Sequence, residues 1–405
     1  MKPTSPLPLR RCIAALATLL AGTAGATTHT ANSFAVTESG AATLSIPIQV
    51  PRGIGGMEPQ LALNYSSQAG NGLLGLGWNL SGPSAITRCP KTRSIDGVRG
   101  SVTFSTDTDR FCLDGQRLEL QSGTYGGDGS TYVTERDSFS VITAAGSYQS
   151  QSNVPASFTV ETKAGLILSF GLSDNSRART NLLKAVRDTG KADTVNRWLL
   201  QRIADLHGSF VEFVYCGGEV SADGSTCAGT ENTYDAAGNS KWSGSKVLRY
   251  IQYTNTGGAA NGSFAVVLRY EARPDSIRAY HAGSVSRQTQ RVTAIQTYRG
   301  FVPPAAGGLD GPATLGSLIR SYDIRYDPEV DAAGASRRAT NTSRITQIQE
   351  RNGAGETLPA LSFSLPPDAV FGLPVQQTGT SVLPPPTPLP PSPCGSRNGR
   401  PLPCP

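Results

Sequence analysis

Hydrophobic and polar residues alternate with a period of two over much of the chain. From residue 43 to residue 50, leucine, isoleucine and valine occupy every second position, and the same alternation returns from 61 to 65. This pattern predicts β-strands with one buried face. The glycine-rich loop between the two segments makes them a predicted hairpin with a long connection, in which Pro47 suits an edge position.

Similar segments continue along the chain. A tight hairpin is predicted around Asp114-Gly115, because this dipeptide supplies the positive φ angles of a type I′ turn. Further strands are predicted at 158–162, 166–170, 210–215, 247–253, 264–270 and 322–326. Between 180 and 206, the spacing of Leu182, Leu183 and Val186 allows a short helix, and a strand is favoured from Trp198 onward. The predicted fold is all-β: a large, multi-stranded antiparallel assembly, shell-like or sandwich-like, with long loops and little helix.

Composition excludes several classes of protein. The 405 residues include 45 glycines and 28 prolines, and only 16% are charged, which does not suit a coiled coil or another long-helix protein. The 38% hydrophobic content excludes a strongly charged disordered chain. Three histidines and seven cysteines are too few for a Cys/His-dense metal protein.

Residues 1–26 have the pattern of a secretory signal peptide. Lys2, Arg10 and Arg11 precede an apolar stretch that ends in Ala24-Gly25-Ala26, so we expect cleavage there and a secreted, extracellular protein that passes through the periplasm. A core helix and a twin-arginine signal are the alternatives. Fourteen apolar residues would span about 21 Å of the roughly 30 Å a bilayer core requires, so no membrane span is expected. Cleavage lowers the formal net charge from +6 to +3, and without a clustered basic patch we expect no nucleic-acid binding.

The six cysteines of the mature chain form three local pairs. An even number of cysteines in an exported protein indicates disulfides. We predict the pairs Cys89–Cys112, Cys216–Cys227 and Cys394–Cys404. A zinc site is the alternative, although the chain has no C-x-x-C motif and its histidines are scattered.

The C-terminal residues differ from the rest. Ten of the 22 residues from 384 to 405 are proline, which favours extended polyproline II and builds no core. We therefore divide the chain into a signal peptide (1–26), a β domain (27–372) and a proline-rich linker or disordered tail (373–405). A proline-rich ligand for a partner is the alternative for the tail.

No catalytic constellation stands out. A Ser-His-Asp triad would need His29, His207 or His281, and only His281 lies in a segment of interest. Asp107, Asp109 and Asp114 lack the spacing of an EF-hand loop and suit a solvated turn better. The leucines within the glycine run 70–77 indicate tight backbone packing against an aromatic residue, and not a phosphate loop. We expect no catalytic residue, no cofactor and no metal ion.

Five runs carry a family resemblance: 40–47, 51–59, 61–67, 70–78 (Gly-Asn-Gly-Leu-Leu-Gly-Leu-Gly-Trp) and 80–88. They resemble the N-terminal domain of the Salmonella virulence plasmid B-protein (SpvB) family, shared with the B components of insecticidal toxin complexes (TcdB/TcaC-like). Segments 109–115 and 270–275 also resemble the family, and the likeness extends over about 34–365. The residues that represent the family motif are Gly72, Gly75, Gly77, Trp78, Arg88, Arg273, Pro274 and Asp275. Residues 234–239 match one unit of the Rhs repeat, although an Asx-rich turn explains them equally well.

The resemblance implies a secreted, non-enzymatic β-scaffold that docks on, or encloses part of, a larger toxin or Rhs-type protein. Its expected partners are other toxin-complex or Rhs components. The chain ends before any transferase domain of the Salmonella type. Two rival hypotheses are a truncated, inactive fragment of a longer toxin and a hydrolase-type toxin enzyme centred on His281.

Overall fold

The computed structural model describes residues 29–106, 108–228, 246–257, 262–305, 311–327 and 342–364. The predicted signal peptide, the proline-rich tail with Cys394 and Cys404, the Rhs-like unit 234–239, and Asp107 all lie outside these ranges. In the part described, no helix has the length and apolarity needed to cross a membrane.

Strands make up most of the regular structure. In chain order they are β1 (Ser33–Val36), β2 (Ala42–Pro47), β3 (Ala62–Ser66), β4 (Asn71–Gly72), β5 (Gly75–Leu76), β6 (Trp78–Ser81), β7 (Ala85–Cys89), β8 (Arg110–Leu113), β9 (Gln116–Ser122), β10 (Thr131–Thr134), β11 (Val141–Ser147), β12 (Pro155–Glu161), β13 (Ile167–Phe170), β14 (Arg177–Arg179), β15 (Val195–Ala204), β16 (Phe210–Cys216), β17 (Glu219–Val220), β18 (Cys227–Ala228), β19 (Val247–Asn255), β20 (Phe264–His281), β21 (Ser284–Arg299), β22 (Ser317–Tyr326), β23 (Ile345–Asn352) and β24 (Leu361–Ser362). The helices are single turns: α1 (Arg93–Asp96), α2 (Lys184–Arg187) and the 3₁₀ turns Ile54–Gly56 and Tyr148–Ser150. The all-β prediction is confirmed.

Eight of these strands close into an antiparallel barrel. Strands β7 to β13 pair in sequence order, and β15 pairs with both β7 and β13 to complete the ring. The predicted hairpin forms the β8–β9 connection, where Asp114 and Gly115 have φ angles of 47° and 83°. Closure leaves no open strand edge in this part of the sheet.

Aromatic side chains fill the barrel. The ring of Phe111 meets those of Tyr132, Phe158 and Trp198 edge to face, with centroids 5.2–6.2 Å apart. The indole N–H of Trp198 donates to the carbonyl of Pro155 at 2.9 Å, so its polar group is satisfied. The interior of this barrel is therefore a packed core.

The sheet continues from β15 through β16 and β19 to β24. Its longest hairpin is β20–β21, whose register shifts between Ala272 and Ile277. The tip of the hairpin returns to the barrel side of the molecule, where Ser284 forms a bridge with Leu182 and Gly283 packs on Val186 of α2. Strand β20 therefore runs well past the predicted end at residue 270.

A separate four-stranded sheet, in the order β1-β2-β3-β6, lies at the N-terminus. Pro47 pairs only with Ala62 of β3, because β1 extends along β2 no further than Ser45. Its missing N–H therefore costs no ladder bond. Buried residues of this sheet, such as Leu63, belong to the same hydrophobic cluster as the barrel interior.

The predicted helix and two of the predicted cysteine pairs are present. The single turn α2 lies within 180–206, and β15 then begins at Val195, three residues before Trp198. One disulfide joins Cys89 of β7 to Cys112 of β8, and another joins Cys216 of β16 to Cys227 of β18.

Candidate functional site

The motif residues separate into two places. Arg88 projects into the barrel, whereas Gly72, Arg273 and Asp275 meet where the β4–β5 hairpin contacts β20. Pro274 lies between the last two, within the register shift of β20, and is exposed. A residue without an N–H is tolerated there because the ladder is already interrupted.

The second group forms a network that we call the clasp, made of Asn71, Gly72, Arg273, Asp275 and Ser343. The Arg273 guanidinium donates to the Gly72 carbonyl at 3.0 Å and to Asn71 Oδ1 at 2.9 Å. It also forms an ion pair with Asp275 at 3.0 Å. Asp275 in turn accepts hydrogen bonds from Asn71 Nδ2 at 2.8 Å and from the backbone N–H of Ser343 at 2.7 Å. The clasp joins three segments that are distant in sequence.

Asp275 is held in its ionised form. Burial alone would raise the pKa of this carboxyl, but hydrogen bonds from Arg273, Ser343 and Asn71 outweigh burial and hold the pKa far below its ordinary value. A carboxylate with so low a pKa is a poor general base. The arrangement therefore suits cohesion better than proton transfer.

The glycines next to the clasp permit close backbone contacts. At Gly75, with φ +85°, an added Cβ would overlap the carbonyl oxygen of Ser343, which accepts the N–H of Leu76 at 2.8 Å. At Gly77, with φ +81°, a Cβ would lie 2.5 Å from the ring of Tyr65. The contact of Gly77 is the tight packing against an aromatic residue that the glycine run predicts, and the contact of Gly75 is with backbone.

Trp78 lies at the centre of a small aromatic group. Its ring centroid is 5.4 Å from that of Tyr65 and 5.2 Å from that of Phe363. The second contact ties the N-terminal sheet to the segment that follows β24. Its side chain also reaches the cavity described below.

Arg88 forms the other buried ion pair. Its guanidinium lies 3.3 Å from Asp109, and neither side chain is exposed to solvent. The Nε donates to the Val195 carbonyl at 2.7 Å, and the cation lies 5.6 Å from the Trp198 ring centroid and 5.9 Å from that of Phe111. Burial lowers the pKa of Arg88, although Asp109 opposes this effect. This residue ties β7 to β15 and to the segment before β8.

A cavity of about 740 Å³ lies beside the clasp. One wall is the N-terminal sheet with Trp78 and Leu80, and a second is the outer face of the barrel with Arg197 and Leu199. The long hairpin β20–β21, which includes Gln288, forms the third wall. The volume is in the usual range for sites that bind small molecules. Of the motif residues, Gly72 and Trp78 line it.

The other candidate residues have ordinary surroundings. His281 is exposed at the tip of the long hairpin, where its ring meets Phe104 edge on at 5.7 Å. His207 is in the β15–β16 turn, and its backbone N–H donates to Asp205 at 2.8 Å. Asp114 accepts hydrogen bonds from the Ser84 hydroxyl at 2.6 Å and from a backbone N–H at 3.0 Å.

Across the described ranges, no three or more His, Cys, Asp or Glu side chains gather in a group that could hold a metal ion. Of the three candidate aspartates, Asp109 and Asp114 lie within the described ranges, and these two do not share a site. Asp109 pairs with Arg88 inside the barrel, and Asp114 lies in the β8–β9 turn.

Three residues of the site are not predicted from the sequence. Ser343 and Asn71 complete the clasp, and Arg197 projects into the cavity. Only Asn71 carries a signal, because it lies within the glycine run beside Gly72. Nothing in the local sequence connects Ser343 or Arg197 to this place. Strand pairing of β15 brings Arg197 there. Ser343, two residues before β23, is held by hydrogen bonds with Leu76 and Asp275.

Comparison with known proteins supports the family resemblance. Residues 36–120 match the family model of the Salmonella virulence plasmid 65kDa B protein, SpvB. The solved N-terminal domain of the effector protein SpvB from Salmonella typhimurium strain LT2 is 18% identical, with a TM-score of 0.50, over 76% of this chain and 98% of that one. No curated protein matches the chain.

Toxin-complex structures are similar as well. A crystal structure of TcdB2-TccC3 is 19% identical with a TM-score of 0.57, and the likeness covers 84% of this chain but 17% of that one. The Photorhabdus luminescens Tc holotoxin pore is 18% identical with a TM-score of 0.53, over 83% of this chain and 16% of that one. The chain thus spans about one sixth of these toxin chains and shares its fold with that part. The resemblance to the SpvB N-terminal domain family is confirmed.

Proposed function

We propose that the chain is a secreted, non-enzymatic β-scaffold of a virulence toxin system, which docks on or encloses part of a larger toxin or Rhs-type protein. The observation that carries the proposal is the fold shared with TcdB2-TccC3 over 84% of the chain. A closed barrel continued by a long sheet is a rigid surface suited to holding another protein in place.

The chemistry of the motif supports a scaffold. The carboxylate of Asp275 accepts five hydrogen bonds from other residues of the clasp. The Arg273 guanidinium donates its hydrogen bonds to Asp275, Asn71 and Gly72. Arg88 is enclosed in the barrel with Asp109. These charged groups bind segments of the chain to one another, so they favour cohesion over catalysis.

A co-expression experiment tests the docking role. The chain would be produced together with an Rhs-type or toxin-complex protein from the same organism, and the mixture analysed by size-exclusion chromatography with light scattering. We expect a complex of defined stoichiometry in which the partner resists added protease. A chain that elutes alone and leaves the partner unprotected would contradict docking and favour the truncated-fragment hypothesis.

An activity screen tests the rival enzyme hypothesis. The purified chain would be incubated with a panel of ester, peptide, glycoside and NAD substrates, in parallel with His281→Ala. We expect no turnover by either protein. Turnover that disappears in His281→Ala would support the hydrolase, and the exposed position of His281 means that this change should leave the fold intact.

A further inference from the structure

We propose that the cavity beside the clasp binds a small organic anion, through a carboxylate or phosphate held by Arg197 and an apolar body packed against Trp78. This inference does not depend on the scaffold role. It rests on the charge, the hydrogen-bonding state and the composition of the cavity wall.

The wall of the cavity carries arginine and lysine side chains. Among the described residues, Arg197, Lys246 and Arg287 line the cavity, together with one acidic residue, Asp114. Lys246 and Arg287 have other contacts, so the preference for an anion rests on Arg197. Both oxygens of Asp114 already accept hydrogen bonds, one from the Ser84 hydroxyl and one from the backbone N–H of Ala85. With Asp114 occupied in this way, Arg197 makes the cavity favour an anion over a cation or a neutral ligand.

Arg197 is the residue best placed to hold that anion. It lies on β15 between Thr87 of β7 and Ala178 of β14, on the outer face of the barrel. Within the described residues its guanidinium forms no hydrogen bond and no ion pair. The surrounding protein lowers its pKa by desolvation, and Tyr215 acts in the opposite direction.

An arginine in this state gains from an added anion. A partly desolvated charge without a counter-ion is unfavourable, and the planar guanidinium fork matches the two oxygens of a carboxylate or phosphate. The phenol of Tyr215 is already committed, because its hydroxyl donates to the Leu200 carbonyl at 2.7 Å. The fork of Arg197 therefore remains available to a ligand.

The rest of the wall suits an apolar body with a few polar groups. Trp78, Leu80, Leu199 and Leu248 supply apolar surface. The amide side chains Asn79, Asn196 and Gln288 also line the cavity, and none of them forms a hydrogen bond within the part of the chain that is described. Apolar walls with a few converging polar groups are typical of sites for small organic ligands.

Titration of the purified full chain with small probes tests the proposal. The probes are phenylacetate, phenyl phosphate, inorganic phosphate and the neutral benzyl alcohol. Binding is followed by isothermal calorimetry and by intrinsic tryptophan fluorescence, to which Trp78 in the cavity wall contributes. We expect the two aromatic anions to bind and to change the fluorescence. The one with the higher affinity shows whether the site prefers a carboxylate or a phosphate. Benzyl alcohol should bind at least about tenfold more weakly, since it lacks the charge-assisted hydrogen bonds.

Variants assign the binding to Arg197. Arg197→Gln should weaken the better anion about tenfold or more, while Arg197→Lys, which keeps the charge but not the fork, should give an intermediate loss. The matched control Arg136→Gln, in the exposed β10–β11 loop away from the cavity, should bind as the parent does. Urea midpoints would confirm that each variant is folded.

Three results would overturn the proposal. One is equal anion binding by the parent chain and a folded Arg197→Gln variant. Another is the absence of any binding by phenylacetate and phenyl phosphate at about 10 mM, which is weaker than a specific site of this size should allow. The third is inorganic phosphate binding as tightly as phenyl phosphate, because the apolar wall would then contribute nothing.

Discussion

The substitution Asp275→Asn should destabilise the fold strongly, because it removes the negative partner of a buried arginine. The side chain of Arg273 is fully buried and that of Asp275 is 8% exposed. Loss of one member of a buried ion pair typically costs about 3–5 kcal/mol, since the remaining charge stays buried without compensation.

The expected value lies at the lower end of that range. In the variant, Arg273 still donates to the Gly72 carbonyl and to Asn71 Oδ1, so its charge remains partly solvated by the protein. The two hydrogen bonds from Ser343 reach different oxygens of Asp275, and the asparagine amide keeps one acceptor oxygen, so one of them can persist in weaker, uncharged form. We therefore expect the free energy of unfolding to fall by about 3 kcal/mol.

Urea denaturation at pH 7, followed by tryptophan fluorescence and circular dichroism, measures the change. The matched control is Asp188→Asn, whose ion pair with Lys184 is more than half exposed and should contribute no more than about 0.5 kcal/mol. A loss below about 1 kcal/mol for Asp275→Asn, or equal losses for both variants, would refute the view that the clasp stabilises the fold.

Three further outcomes follow from individual contacts. Gly171→Ala should cost about 2–4 kcal/mol in urea denaturation, because φ is +68° and the new Cβ would lie 2.5 Å from the Trp198 ring, whereas Gly129→Ala, at φ +72° with open space around it, should cost about 1 kcal/mol. Non-reduced peptide mapping should link Cys89 to Cys112 and Cys216 to Cys227, and free thiols there would contradict the structure. Hydrogen bonds from Ser221 and Ser225 lower the pKa of Asp223 to about 2, so its contribution to stability should be complete above about pH 4 and vanish as pH falls through 2. The difference in urea midpoint between the parent chain and Asp223→Asn should accordingly shrink over that window, and a constant difference would contradict the assignment.

Strand positions could be predicted where alternation and turn chemistry agree. The β8–β9 hairpin is an example, because Asp114 and Gly115 take the positive φ angles that their residue types favour. The extension of β20 beyond residue 270 could not be predicted from the sequence, because the added part is largely exposed and polar. It is a strand because β21 pairs with it after the shift at Ala272.

The closure of the barrel could not be predicted from the local pattern of hydrophobic and polar residues. Alternation indicates which face of a strand is buried, but not which strand lies beside it. The pairing of β15 with β7 places Trp198 opposite Ile86, although more than a hundred residues separate them. Non-local pairing of this kind also brings Arg197 to the outer wall where the cavity lies.

The motif residues and the cavity residues carry different information about the molecule. Arg88 and Arg273 are buried arginines that each pair with an aspartate and tie together segments distant in sequence. Residues with that role specify how the chain folds, so a resemblance that rests on them identifies the fold and leaves the ligand open. Arg197 has the opposite character, because the fold holds it in a cavity without using its hydrogen-bonding capacity. Specificity among chains of this fold should therefore be sought in the cavity wall and not in the clasp.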